Sequence, residues 1–378
     1  MYVIYVNGQP LHHPNMEPEK CVATSAQLRE EVNTHGSLDI QIEPSNPRWG
    51  WLSKHDPVKV FADDVIIWAG RIATIDQDLY GSQLIHCEGK LAYLCDSFIE
   101  PFSFRGTPAN LLQAFITKHN QAMGISDVER TLSRGTVTVT DPNDAIYRYN
   151  ESSQSVWDAI QDHLVGSSLG GYILFDPVTN EVGYYSGYAR VCSQEIRFGI
   201  NLKECGQTED GTDIVNVLYA FGAQYDPAQE TVPDGDGYHV WGGNRLHLTG
   251  ADWPLVHQSA ASVGRFYGTR VWDDITTVEA LKRAALAYLD ENFAETLKRR
   301  IQVKAVDMSI SDRELPAITV GALCPVVPPN LSGIDKNGFS NAVQLMCAAR
   351  DLNIVDPSES VFSFGTVEAT LSAIVGGG

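Results

Sequence analysis

The stretch "EGKLAYLCDSFIEPFSFR", Glu88–Arg105, separates two kinds of sequence. Upstream, "SLDIQIEP" (Ser37–Pro44) alternates with a period of two. Leu38, Ile40 and Ile42 fall on one face and Asp39, Gln41 and Glu43 on the other, the pattern of a half-buried strand. Downstream, "GTPANLLQAFITKHNQAM" (Gly106–Met123) places Leu111, Leu112, Phe115 and Ile116 on one helical stripe. Thr107 can cap that helix, Pro108 suits its first position, and the stripe ends near Gly124. The change of period predicts a boundary between a β body and a mixed one.

On the N-terminal side, "DPVKVFADDVIIWAGRIATIDQD" (Asp56–Asp78) holds β-branched runs on either side of a turn at Asp63–Asp64, and "SQLIHCEG" (Ser82–Gly89) follows as another strand. Residues 1–98 are therefore predicted to form a small antiparallel barrel. On the C-terminal side, "SVWDAIQDHLV" (Ser155–Val165) is helical through Val156, Ile160 and Leu164. "GGYILFDPVTNEVGYYS" (Gly170–Ser186) reads as a hairpin turning across Asp176–Asn180.

A polar, glycine-rich section, Tyr225–Asn244, is expected to be a surface excursion. Thr276 and Glu279 form a capping box before a helix whose buried stripe is Leu281, Ala285, Tyr288 and Leu289. From Arg299 onward, "RRIQVKAVDM", "AITVGALCPVV", "AVQLMCAARDLNI" and "SVFSFGTVEATL" are short β runs separated by turns. They predict a second barrel, completed by "EIRFGINL" and "DIVNVLYAFGA" from Glu195 to Ala223. The expected fold is β-rich α+β: two small β-barrels with an inserted α/β domain. The boundaries are 1–98 for the first barrel, 99–194 with 227–296 for the peripheral α/β domain, and 195–226 with 297–378 for the second barrel and C-terminal segment.

A chain of 378 residues exceeds one ordinary core, and 43% hydrophobic with 20% charged residues predicts a fully folded chain. The formal charge of -20 argues against affinity for a phosphate backbone, which is driven by Lys and Arg. Apolar runs such as "VIIWAG" (Val65–Gly70) are far shorter than the roughly 20 residues a membrane helix needs, so no spanning segment is expected. The start "MYVIYVNGQP" has neither the basic region nor the apolar core of a secretory signal, which predicts synthesis and folding in a cytoplasm. The seven cysteines are scattered and contain no CxxC pair, so buried reduced thiols are expected rather than disulfides or zinc.

Several motifs invite chemistry and are outweighed by context. "GSSLG" (Gly166–Gly170) matches a nucleophile elbow at Ser168, but the elbow needs a strand before it and a helix after it, the reverse of the order here. Asp234 and Asp236 in "PDGDG" lack the remaining ligands of a calcium loop. His12, His13, His119 and His163 have no metal-type spacing and are expected to be solvated or capping. Asp63–Asp64 and Asp273–Asp274 suit turns better than a sugar-cleaving pair. Cys87, Cys95 and Cys205 lie in strand-like or junction sequence where burial makes a thiol inert. No catalytic, cofactor-binding or metal-binding residue is expected, and no cofactor.

Taken in order, "SLDIQIEP", "IWAGRIATIDQDLYG", "CEGKLAYLCDSFIEPFSF", "ITKHNQAM", "GTVTVTDPNDAIYRY", "GGYILF", "QEIRFGINL", "YGTRVWDDIT" and "DLNIVDPSESVFSFGTVEATL" resemble the hub module of phage and prophage tail tips. This is the module found at the front of tail-associated lysins and prophage tail endopeptidases. The resemblance spans about residues 2–371 and implies tube-protein-like barrels, with Glu88–Arg105 leading from the first into a peripheral domain. It further implies a homotrimer whose six barrels face a six-fold tail tube, a structural, non-enzymatic role in the virion, and a central passage for DNA without specific binding. The partners it implies are a distal tail or tail-tube protein, a tape-measure protein and fibre or spike proteins.

Two features depart from that pattern. The lytic domain carried by many relatives is not expected, because the sequence ends at "AIVGGG", and Tyr225–Asn244 matches no segment of the family. The alternatives are a peptidoglycan-degrading hydrolase and a receptor- or carbohydrate-binding module using Tyr238 and Trp241.

Overall fold

The computed structural model describes residues 1–16, 21–124, 126–141, 145–167, 169–210, 215–224, 245–258, 260–273, 275–292, 298–312, 314–327 and 343–365. The chain is strand-rich with few helices, as a β-rich α+β protein should be. Its principal element is a 14-stranded sheet. One path runs from Leu202–Asp210 through Lys298–Ala305, Val361–Gly365, Val343–Asn353 and Ser25–Glu31. It continues through Ser37–Ile42, Gln83–Gly89, Val65–Gln77, Pro57–Ala62 and Tyr2–Val6 to Gln9–His12.

The alternation in Ser37–Ile42 is realised: Leu38, Ile40 and Ile42 are fully buried while the residues between them are half-exposed. Asp63 takes a left-handed φ of 53° in the turn between Pro57–Ala62 and Val65–Gln77. The strand Ser25–Glu31 escapes a simple hydropathy reading, because its buried side chains include only Ala26 and Leu28 among polar neighbours.

Two separate closed barrels were expected, but no sheet among the described residues closes on itself, and the two halves are continuous. The 11-residue strand Val343–Asn353 joins them. Along one edge its first residues pair with Ala322–Val327 and its last with Ser25–Glu31, while its other edge holds Val361–Gly365. Periodicity reports which face of a strand is buried but not which strands lie beside it, so this sharing left no mark in the pattern. The main core accordingly draws Ile4, Leu28 and Ile40 from the N-terminal half and Ala322, Phe362 and Phe364 from the C-terminal half.

A second core combines Leu112, Phe115 and Ile116 of the helix Pro108–Met123 with Trp157, Ile160 and Tyr184. Thr107 Oγ1 accepts from the Asn110 amide and Gly124 ends the helix, as the sequence predicted. Val156–Ile160 continues into a wider π-type turn, Gln161–Val165. The hairpin Tyr172–Asp176 and Glu181–Tyr185 is as expected.

The strand Val217–Gln224 does not complete the large sheet. It pairs instead with Arg245–His247, Leu255–Val256 and Tyr267–Val271. Its Leu218 and Ala220 pack on Leu281, Ala285 and Leu289 of the helix Val278–Asn292, making a third core. Their apolar face already has a cover, so the large sheet has nothing to gain from them. The helix is capped one residue later than the sequence indicates, with Thr277 Oγ1 accepting from Ala280 N at 3.4 Å.

Glu88–Arg105 turns between the first two cores without a loose linker. After Gly89 the chain winds into a 3-10 helix, Lys90–Asp96, with Leu91, Ala92, Tyr93 and Leu94 buried, then forms the short strands Phe98–Ile99 and Phe102–Gly106. A Cβ on Gly89 would sit 1.8 Å from the carbonyl oxygen of His35. Gly89→Ala is therefore expected to force the backbones apart and destabilise the protein by roughly 3 kcal/mol or more. Chemical denaturation of the variant against the parent measures this.

Candidate functional site

The residues that hold the three bodies together, and the apolar groups left uncovered, make up the candidate site. At the Glu88–Arg105 turn, Arg71 from the strand Val65–Gln77 reaches Glu88 at 3.2 Å and Asp96 at 3.1 Å, and lies 4.7 Å above the Tyr93 ring. Its hydrogen bond to Asp96 raises the guanidinium pKa, with Glu88 adding to the effect. Lys90 donates to the Glu129 carbonyl; burial lowers its pKa. These cations are spent on fixing the turn and are not offered to a ligand.

His119 was expected to be solvated or capping, yet it is fully buried on the helix Pro108–Met123. Its Nδ1 lies 2.8 Å from Ser97 Oγ and its Nε2 2.8 Å from the Arg130 carbonyl. A carbonyl only accepts, so Nε2 carries the proton and Nδ1 accepts from Ser97. His12 is buried too, its Nδ1 accepting from the Ala23 amide at 3.1 Å. His35 packs on Trp157 at a centroid distance of 4.4 Å and lies 3.5 Å from Cys95 Sγ. Burial lowers the pKa of all three.

Arg350 holds the shared strand. The residue is 5% exposed, and its Nε donates to Glu30 at 2.6 Å, Nη1 to the Ile318 carbonyl at 3.1 Å and Nη2 to the Ile67 carbonyl at 3.5 Å. Burial opposes its charge, but the Glu30 carboxylate outweighs this and the pKa is raised. One side chain thus binds the Ser25–Glu31 and Val65–Gln77 strands to the segment leading into Ala322–Val327.

The far end of the sheet is sealed. Asn46 Nδ2 donates to the carbonyls of Leu11 and Val22, both at 3.0 Å, and Arg48 Nε to that of Pro10 at 3.4 Å. Side chains rather than another strand thus satisfy the edge of Gln9–His12.

Apolar groups are uncovered at the turn joining Val65–Gln77 to Gln83–Gly89, where Leu79 is 93% and Tyr80 84% exposed. Asp78 fixes this tip by accepting from the Tyr80 and Ser82 amides at 2.8 and 2.9 Å, and Trp49 Nε1 donates to the Gly81 carbonyl at 2.6 Å. Trp49 and Trp51 are themselves partly exposed. Apolar side chains on a rigid turn mark a contact surface rather than a catalytic one. Periodicity does not mark this tip; the signal in the sequence is "DLYG" with a nearby "RWGW".

The rejected motifs stay apart. Cys21, Cys87, Cys192, Cys324 and Cys347 are buried thiols; Cys95 is half-buried and burial pushes it up to about 11. His163 packs edge-on to Phe102 at 5.2 Å, and Asp273 pairs with Arg245. Among the described residues, no three His, Cys, Asp or Glu side chains are grouped to hold a metal ion. No described helix is long and apolar enough to cross a membrane. Ser168, Asp234, Asp236, Tyr238, Trp241 and Asp274, with all of Tyr225–Asn244, lie outside the described residues, as does the Cys205 side chain.

No family model matches the chain, and no curated protein does. Solved structures match over its whole length. A 43 kDa tail protein of prophage MuSo2 from Shewanella oneidensis aligns over 98% of this chain and 99% of its own, with a TM-score of 0.61 and 12% identity. The chain has the fold of prophage tail proteins. A tail protein from Neisseria meningitidis MC58 covers 97% and 96% with a TM-score of 0.58 at 11% identity. Prophage tail protein gp18 from Listeria monocytogenes EGD-e covers 100% and 99% with a TM-score of 0.55 at 11% identity.

Removing the Arg350 side chain would strand Glu30 in a partly buried site, so Arg350→Ala is expected to lose about 3–5 kcal/mol, readable from urea denaturation. His12, His119 and the half-buried His35 set a pH dependence. The unfolded chain binds protons at these positions near pH 6.5, whereas the folded chain resists until lower pH. Their contribution is thus present above that value and lost as the pH falls through it. The melting temperature should drop between about pH 7.5 and pH 5.5, less so in His119→Asn.

Proposed function

We propose that the protein is a structural component of a phage or prophage tail tip. In this reading it is one subunit of a homotrimeric hub that joins the tail tube to the tip or spike and surrounds the passage for DNA. The observation that carries it is the mutual coverage with tail proteins, 97–100% of this chain against 96–99% of theirs.

The hub halves in this reading are residues 1–98 and residues 195–210 with 298–365. Residues 99–194, with 217–224 and the described residues of 245–292, form the periphery, the strand Val217–Gln224 going there because its core does. Each chain offers two similar β halves, so three chains present six units to a six-fold tube, a match of symmetry that needs no catalysis. The partners are a distal tail or tube protein, a tape-measure protein and fibre or spike proteins, and the location is the virion. The charge of -20 suits a passage that must not grip DNA.

Light scattering on the purified chain should give a trimer mass, and gel shift with duplex DNA at low salt should show no binding. A stable monomer at about 10 μM, or clearing of peptidoglycan by this chain, overturns the reading. The exposed tip supplies a subunit or partner contact, so Leu79→Glu with Tyr80→Ser should weaken assembly. The melting temperature of the subunit should stay within about 0.5 kcal/mol equivalent of the parent.

A further inference from the structure

The segment 190–197 brings the chain back from the second core into the large sheet, running parallel to Ala322–Val327. Arg190 faces Ala322 and Val191 faces Leu323, and the Cys192 amide donates to the Leu323 carbonyl at 2.9 Å. The next step of this ladder sets Cys192 opposite Cys324. Both side chains enter the main core from this register, on the same face of the sheet. Neighbouring strands about 4.8 Å apart fall inside the range of Cα separations a disulfide spans.

A cavity of about 320 Å³ opens at this point, between Trp68, Leu174, Arg190 and Pro316, and Cys192 is in its wall while Cys324 is not. Cys192, only 1% exposed, is thus reached from this cavity and Cys324 only through it. Their hydrogen bonds differ as well: Cys192 Sγ donates to the Pro316 carbonyl at 3.5 Å, at the wall of the cavity, and Cys324 Sγ to the Ala322 carbonyl at 3.7 Å within its own strand.

We propose that Cys192 and Cys324 are an oxidisable pair, reduced in the folded chain described here and convertible to a disulfide by a small organic disulfide that enters the cavity. The Cys192 thiolate attacks one sulfur of the oxidant, whose S–S bond breaks and whose leaving thiolate takes up the Cys192 proton. Cys324 then gives its proton to the second leaving group as its sulfur attacks Cys192 Sγ, and the mixed disulfide breaks. The two protein thiols lose two electrons in all, and the oxidant leaves as two thiols. The bond ties the return segment to Ala322–Val327, and so the second core to the large sheet.

The test treats the native protein with bis(2-hydroxyethyl) disulfide and maps peptides without reduction. A cross-linked Cys192–Cys324 peptide pair is expected, with the intact mass lower by about 2 Da and a raised melting temperature. Cys324→Ser should stop at a mixed disulfide of the probe on Cys192, and Cys192→Ser should give no product at either position. Wild-type protein that stays folded with both cysteines free, or that links either one to Cys347 instead, overturns the proposal. Should a serine variant fail to fold, the wild-type peptide map alone decides.

Discussion

The architecture depends on a strand that joins the two halves of one sheet, and that strand depends on a buried cation. Val343–Asn353 pairs first with Ala322–Val327 and then, along the same edge, with Ser25–Glu31. Where one partner stops and the other begins, the Cys347 carbonyl accepts from the Gly321 amide at 2.8 Å and the Ala348 carbonyl from the Val32 amide at 3.0 Å, so the ladder passes from one to the other without a buried carbonyl left unpaired. Next to this change, the Arg350 guanidinium, with five donors in a fixed plane, reaches the carbonyls of Ile318 and Ile67 while Glu30 balances its charge. An apolar residue could fill the volume but could not satisfy both carbonyls. The ion pair is placed where the ladder changes partners, which gives it a structural reason beyond net stability.

Local chemistry was legible in the sequence wherever a single element determines it. Thr107, Pro108 and Gly124 bound their helix as their backbone preferences require, and Leu38, Ile40 and Ile42 face the core. What the sequence concealed is relational. The partners of Val343–Asn353 and the transfer of Val217–Gln224 to a sheet of its own depend on apolar faces far away in the chain. His119 looked like a polar residue near a helix end, because a buried histidine is recognised only by Ser97 and Arg130, which other segments supply. The candidate site was the least legible part. Leu79 and Tyr80 have the same letters as core residues, and only the tight turn held by Asp78 turns them outward.

The Glu88–Arg105 turn shows how a domain boundary can be stiff. A linker between independently moving parts would be polar and exposed. This one buries Leu91 and Leu94 in the second core and clasps Asp96 with an arginine from the first half. Gly89 permits the backbone approach that makes the turn short. The peripheral body is therefore held in a set orientation to the large sheet, which suits a part that must transmit contact rather than move on its own.

The sealed edge at Gln9–His12 bears on how such a chain behaves before it is built into anything. A sheet with two open ends can recruit copies of itself without limit, and the product is a fibre of no defined length. Asn46 and Arg48 occupy the acceptors that an incoming strand would need. Newly made copies, crowded together at their site of synthesis, then have one fewer route to a dead end. Association is left to side-chain surfaces, whose geometry can count its members and stop.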